Sequence, residues 1–122
     1  MATPFTFSGS LVYPPDAGQP PATRAFSNSG NFDVKAEYEY ALVGAGTQVV
    51  DFGSVADAKA ILVEVATDAG APVNLRVNGG VDDIEVAPGG FFCLSSPAPS
   101  TGISAMSIVH TADAKVTVYV LG

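Results

Sequence analysis

The stretch from Lys59 to Leu94, KAILVEVATDAGAPVNLRVNGGVDDIEVAPGGFFCL, constrains this chain more than any other. Short runs of β-branched and aliphatic residues alternate in it with Asp-Ala-Gly, Asn-Gly-Gly and Pro-Gly-Gly. Such runs, bounded by turn residues, read as four successive strands. Asn78-Gly79 is the sharpest signal, because both central residues of a type I′ hairpin turn need positive φ. Val73, Leu75 and Val77 alternate with Asn74, Arg76 and Asn78, and Asp83-Ile84-Glu85-Val86 is the return strand. No position in the stretch is suited to covalent chemistry. The chain is therefore expected to act through its surfaces.

The same grammar extends outward. From Asn31 to Val43, Phe32, Val34, Ala36, Tyr38, Tyr40 and Leu42 share one parity, and Asp33, Lys35, Glu37 and Glu39 the other. Strict alternation marks a half-buried strand, and its length suggests one that is bent or shared between two sheets. Ala60–Ala66 (AILVEVA) is more continuously apolar than alternating, as expected where both faces are covered. Ile103–His110 and Lys115–Leu121 close the chain. Residues 54–59 (SVADAK) are predicted to form one helical turn; every other segment has glycine, proline or period 2 against a helix. About eight to ten strands at sandwich-like spacing result. The predicted fold is all-β: an antiparallel β-sandwich with jelly-roll-like or other Greek-key connections.

The N-terminal part differs. Phe5, Phe7 and Leu11 follow a loose period of two, but PPDAGQPPATR (Pro14–Arg24) holds four of the nine prolines. Proline lacks the ladder N–H, so this segment is excluded from a central strand. Residues 1–29 are read as an extended proline-rich arm, either a surface connection or a reach toward a neighbouring subunit. Residues 30–122 are read as the sandwich domain.

Composition narrows the partners. The 122 residues are 48% hydrophobic and 14% charged, against about 25% charged in average chains. A small domain of that balance exposes neutral or apolar surface, which points to oligomerisation. The net charge is −7, and Arg24, Lys35, Lys59, Arg76 and Lys115 are scattered. Nucleic acid and anionic membranes call for clustered cations, so neither is expected as a partner. No apolar run approaches the ~20 residues that span a bilayer. No signal-peptide pattern opens the sequence, and a cytoplasmic origin is expected.

Candidate chemistry is sparse. His110 is the one histidine; a Ser-His-Asp triad would have to join it to Ser104 or Ser107 and Asp113, without a nucleophile elbow. Zinc sites want several His or Cys ligands, and Cys93, the one cysteine, sits in the apolar run Phe91–Leu94 and reads as core filler. Gly44-Ala45-Gly46 begins like a dinucleotide fingerprint, but Val49 stands where the third glycine belongs. Asp82, Asp83 and Glu85 could supply a few calcium ligands, yet read better as a solvated turn. Glu37 and Glu39 share a wet face that Lys35 partly neutralises. Sugar-binding sandwiches usually display aromatic platforms, whereas Tyr13, Tyr38, Tyr40, Tyr119 and the phenylalanines mostly fall at core parity. No catalytic, cofactor-binding or metal-binding residue is assigned, and a non-enzyme is expected.

From Val50 to Gly122 the chain resembles small structural proteins of tailed bacteriophages. The resemblance lies in VDFGSV, ILVEV, APVNLRVNGG, IEVAPGGFFCL, GISAMSIVHT and the terminal VTVYVLG. It implies a β-sandwich built into a virion, assembled in the host bacterial cytoplasm, decorating or stabilising the capsid. The implied partners are further copies of itself, with a trimer favoured, and the major capsid or other virion proteins. The alternative is a tail- or fibre-associated, or cell-surface, module that binds carbohydrate or protein.

Overall fold

The computed structural model describes residues 2–80, 84–96 and 102–122. These form β1 (Thr3–Tyr13), β2 (Ala22–Phe32), β3 (Lys35–Leu42), β4 (Gly46–Val49), β5 (Ala60–Val65), β6 (Val73–Val77), β7 (Ile84–Val86), β8 (Phe91–Ser95), β9 (Met106–His110) and β10 (Ala114–Leu121). The described residues contain no helix. Eight of the strands make two antiparallel four-stranded sheets, ordered β3-β10-β5-β8 and β4-β9-β6-β7. The chain is an antiparallel β-sandwich, as the strand pattern predicts.

Pairing is nested. β3 pairs with β10, β4 with β9, β5 with β8 and β6 with β7. Only the β6–β7 hairpin stays within one sheet; every other step from β3 to β10 crosses to the opposite sheet. Val77–Gly80 closes that hairpin's first turn: Gly80 N–H donates to Val77 O at 2.9 Å, and Asn78 and Gly79 take φ of 53° and 69°. This is the type I′ geometry predicted for Asn-Gly.

The core follows from period 2. Ala114, Val116, Val118 and Val120 of β10 are buried while Lys115 and Tyr119 are exposed. Ile61 and Val63 of the first sheet meet Leu75, Met106 and Ile108 of the second in one cluster. Complete burial of a side chain such as Leu75 or Ile108 contributes roughly 1.5–3 kcal/mol.

The Asn31–Val43 run is divided between two sheets. β2 ends at Phe32, and the chain bends where Asp33 and Val34 N–H both donate to Gly122 O, at 2.8 and 3.1 Å. Residues 54–59 form no helical turn, contrary to expectation. Val55 N–H donates to Phe52 O at 2.9 Å across a β-turn in which Gly53 has a φ of 55°. Ala58 then bridges Ile103. Val55 and Ala58 are both buried, and an extended course between them delivers each to the core.

The N-terminal segment doubles back on itself. β1 and β2 pair in register from Thr3↔Phe32 to Tyr13↔Ala22 as a two-stranded ribbon. The prolines are confined to its turn and to Pro4 near its start, and Gly18 (φ 80°) lets Gln19 N–H reach Asp16 O at 3.0 Å. Ala22–Arg24, read as loop from the prolines beside them, belong to β2, and the strand continues past residue 29 to Phe32.

Candidate functional surface

The side chains considered for catalysis do not form a reacting group. His110 lies at the end of β9 on the buried parity of Met106 and Ile108. Its Nδ1 is 2.6 Å from Gly44 O, and Gly44 N–H donates to Asp113 Oδ1 at 2.7 Å. Histidine and aspartate thus clamp opposite sides of one peptide turn instead of each other. Ser107 has the other parity of β9, and Ser104 Oγ is 3.2 Å from Asn78 Oδ1. Gly44-Ala45-Gly46 links two strands, β3 and β4, with no helix N-terminus to receive a phosphate.

Among the carboxylates, Asp82 and Asp83 lie outside the described residues, and Glu85 is exposed on β7. Glu37 pairs with Lys35 at 3.5 Å, both well exposed, a contact worth little in water. Glu39 lies on the same outer face, two strands from Glu64 in the row Glu39–Thr117–Glu64. No group of three or more His, Cys, Asp or Glu side chains converges among the described residues.

Two residues expected in the core, Tyr38 and Cys93, lie elsewhere. Tyr38 has core parity, yet it sits on the edge strand β3 and is 41% exposed. Its ring is 6.0 Å from that of Tyr40. The Asp51 carboxylate beside it raises the Tyr38 hydroxyl pKa, first through its charge and then through a hydrogen bond. Asp51 is held in place by two contacts: its N–H donates to Tyr40 Oη at 2.9 Å, and its Oδ1 accepts from Gly53 N–H at 2.7 Å. Cys93 is not core filler of the sandwich. Leu62↔Cys93 is an outward-facing pair, and Phe92 and Leu94 are the residues of β8 that pack on the core.

The surface that gathers these outward apolar residues involves the ribbon. Cross-strand register puts Phe5, Phe7, Leu11, Tyr13, Phe26 and Phe32 on one face of it. Thr6, Ser8, Ser10, Ser27 and Ser29 line the other. Phe5 and Phe32 meet at 6.3 Å between ring centroids. Phe7 shares one recess with Leu62, Phe91 and Cys93, and a second with Leu62, Tyr119 and Leu121. The ribbon's base therefore lies against the outer face of the first sheet, and this is why Leu62 is half-buried on the nominal solvent side of β5. Lys59 Nζ fastens the base by donating to Asn31 O at 3.0 Å.

Past Phe7 the apolar face of the ribbon is open at Leu11, which is 60% exposed, and at Phe26, which is 47% exposed. The end of the Phe26 ring covers Gly9, its cross-strand partner; a Cβ at Gly9 would come to 2.5 Å from it. That glycine–aromatic pair is the signal in the sequence that could have exposed β2.

The fold and this surface define an antiparallel β-sandwich carrying an amphipathic ribbon. Comparisons with protein families, with curated proteins and with solved structures found no match.

Proposed function

We propose that the protein is a non-enzymatic structural subunit of a tailed-bacteriophage virion, which decorates or stabilises the capsid as a homo-oligomer. The observation that carries this reading is the ribbon, whose apolar face is seated at its base and bare toward its tip. An exposed apolar face on a two-stranded element is a docking device. The nested pairing of β3–β10 supports the reading by analogy, since it is the connectivity expected of a jelly roll, an architecture used by viral capsid and lectin domains. The sequence resemblance over Val50–Gly122 points the same way.

The test is removal of the residues before Asn31 from the phage-borne gene. Asn31 O and the Asp33–Gly122 contacts remain, so the sandwich is expected to fold with its circular-dichroism spectrum retained. Incorporation into particles is expected to be abolished. Full occupancy of particles by the truncated chain would contradict the docking role.

A second reading rests on the Tyr38–Tyr40 pair beside Asp51, an exposed aromatic surface with a polar neighbour, suited to stacking on a sugar ring. Strong, selective signals on a glycan array, lost in Tyr38→Ala, would favour a carbohydrate-binding module over the capsid role.

A further inference from the structure

The ribbon tip and a groove on the sandwich are two unfilled surfaces of matching character on the same chain. The tip carries Leu11 and Phe26, with Arg24 directly across from Leu11 on the same face. Arg24 is the only charged residue in β1 and β2. The groove runs along the outer face of the first sheet at the β5–β8 edge. Leu62, Glu64 and Phe91 line it together with Gly89 and Gly90. Its walls are mainly apolar, Phe91 is 65% exposed, and Glu64 supplies a carboxylate. Among the described residues neither Arg24 nor Glu64 has an ion-pair partner.

The chain cannot bring the two together within itself as it is folded. Phe7 is already seated over Leu62 with Phe91 and Cys93 beside it, and the tip extends past that point. No ribbon residue lines the groove. Leu62 and Phe91 line both the ribbon's own seat and the open groove, so the groove continues a contact that this sequence already makes with its ribbon.

We infer that the ribbon tip of one copy docks into the Leu62–Glu64–Phe91 groove of a second copy, with Arg24 meeting Glu64. The inference rests on the subunit reading above and names the partner of its docking device. The charges agree at the groove: Glu64 is the one charged residue among those lining it, and the chain as a whole carries −7, so the tip's cation is the complementary group. Geometry adds a condition. Gly9–Tyr13 spans about 17 Å of strand, which buries too little for a stable complex through one contact, given that such interfaces bury roughly 1,200–2,000 Å². The contact joins two different patches, so each copy gives one tip and receives one. Closure as a reciprocal pair or a small ring then multiplies the buried area.

Sedimentation of the full chain tests this. At about 100 μM the wild type is expected to be a closed oligomer. R24E and E64R are each expected to weaken association at least about tenfold, and R24E combined with E64R to restore it to within about threefold. Both positions are exposed, so the variants keep the fold, and unchanged circular dichroism verifies that. F26S is expected to give monomer. A wild type that stays monomeric at that concentration, or charge reversals that fail to rescue one another, would overturn the inference. So would a monomer that binds purified capsids through Phe26, which would assign the tip to the capsid. Arg24-dependent self-association in a protein missing from particles would leave the inference standing and remove the virion reading.

Discussion

Asn78 performs two tasks that substitution can separate. Its backbone takes the left-handed conformation of the β6–β7 turn, which costs a residue such as alanine about 1–2 kcal/mol. Its side-chain oxygen accepts from Ser104 N–H at 2.8 Å and from Ala105 N–H at 3.3 Å, and its amide donates to Gly102 O at 3.2 Å. Asn78→Gly removes only the second task, at about 0.5–1.5 kcal/mol for each lost hydrogen bond. Asn78→Ala removes both. Urea unfolding is expected to rank wild type above Asn78→Gly, and Asn78→Gly above Asn78→Ala by about 1 kcal/mol. Equal losses would mean that the turn conformation contributes nothing. The turn was legible in the sequence because its cause is local, an Asn-Gly dipeptide. The bonds to Ser104 were not, because they join residues 26 apart in the chain. His110 follows the same rule: it is conspicuous as a lone histidine, but its role as a clamp on Gly44 is invisible until β4 and β9 pair.

At the scale of elements, the strands that alternate strictly were readable, and the ribbon was readable only in part. β3 and β10 declare themselves because each has one face in the core and one in water. β2, with the sequence ATRAFSNSGNF, is rich in serine, asparagine and glycine, residues with little intrinsic preference for strands. It becomes a strand because β1 offers an eleven-residue template and Phe26 covers Gly9. Residues 54–59 failed in the opposite direction: a helix-compatible composition was overridden by Gly53 and by the burial of Val55 and Ala58. The seat of the ribbon makes a measurable difference to Cys93, which is half-buried in the recess shared with Phe7. Phe7→Ser is expected to speed thiol labelling of Cys93 several-fold while leaving the unfolding midpoint nearly unchanged, since Phe7 lies outside the sandwich core. An unchanged labelling rate would show that the ribbon does not shield this face.

For the whole molecule, the sequence pattern pointed to a sandwich, but the order of its strands is a product of long-range pairing. Lys35 faces Leu121 across the β3–β10 ladder and Gly46 faces His110 across β4–β9; no local signal specifies either. The candidate surface was less legible than the fold. Sequence parity put Cys93 and most aromatics in the core, whereas the ribbon creates a second apolar layer on the outer side of the first sheet, and Phe26, Phe91 and Tyr38 are exposed. Polar side chains such as Asn78, His110 and Asp113 hold the turns of the chain, while Leu11, Phe26 and Phe91 leave apolar surface exposed. Reconstruction of purified phage particles from a host expressing this chain tests the proposed virion role. It predicts sandwich-shaped density on the particle surface in a copy number set by the particle's symmetry, with the ribbon reaching an adjacent subunit. Particles that are complete and stable without the chain, while it accumulates free in the lysate, would contradict it.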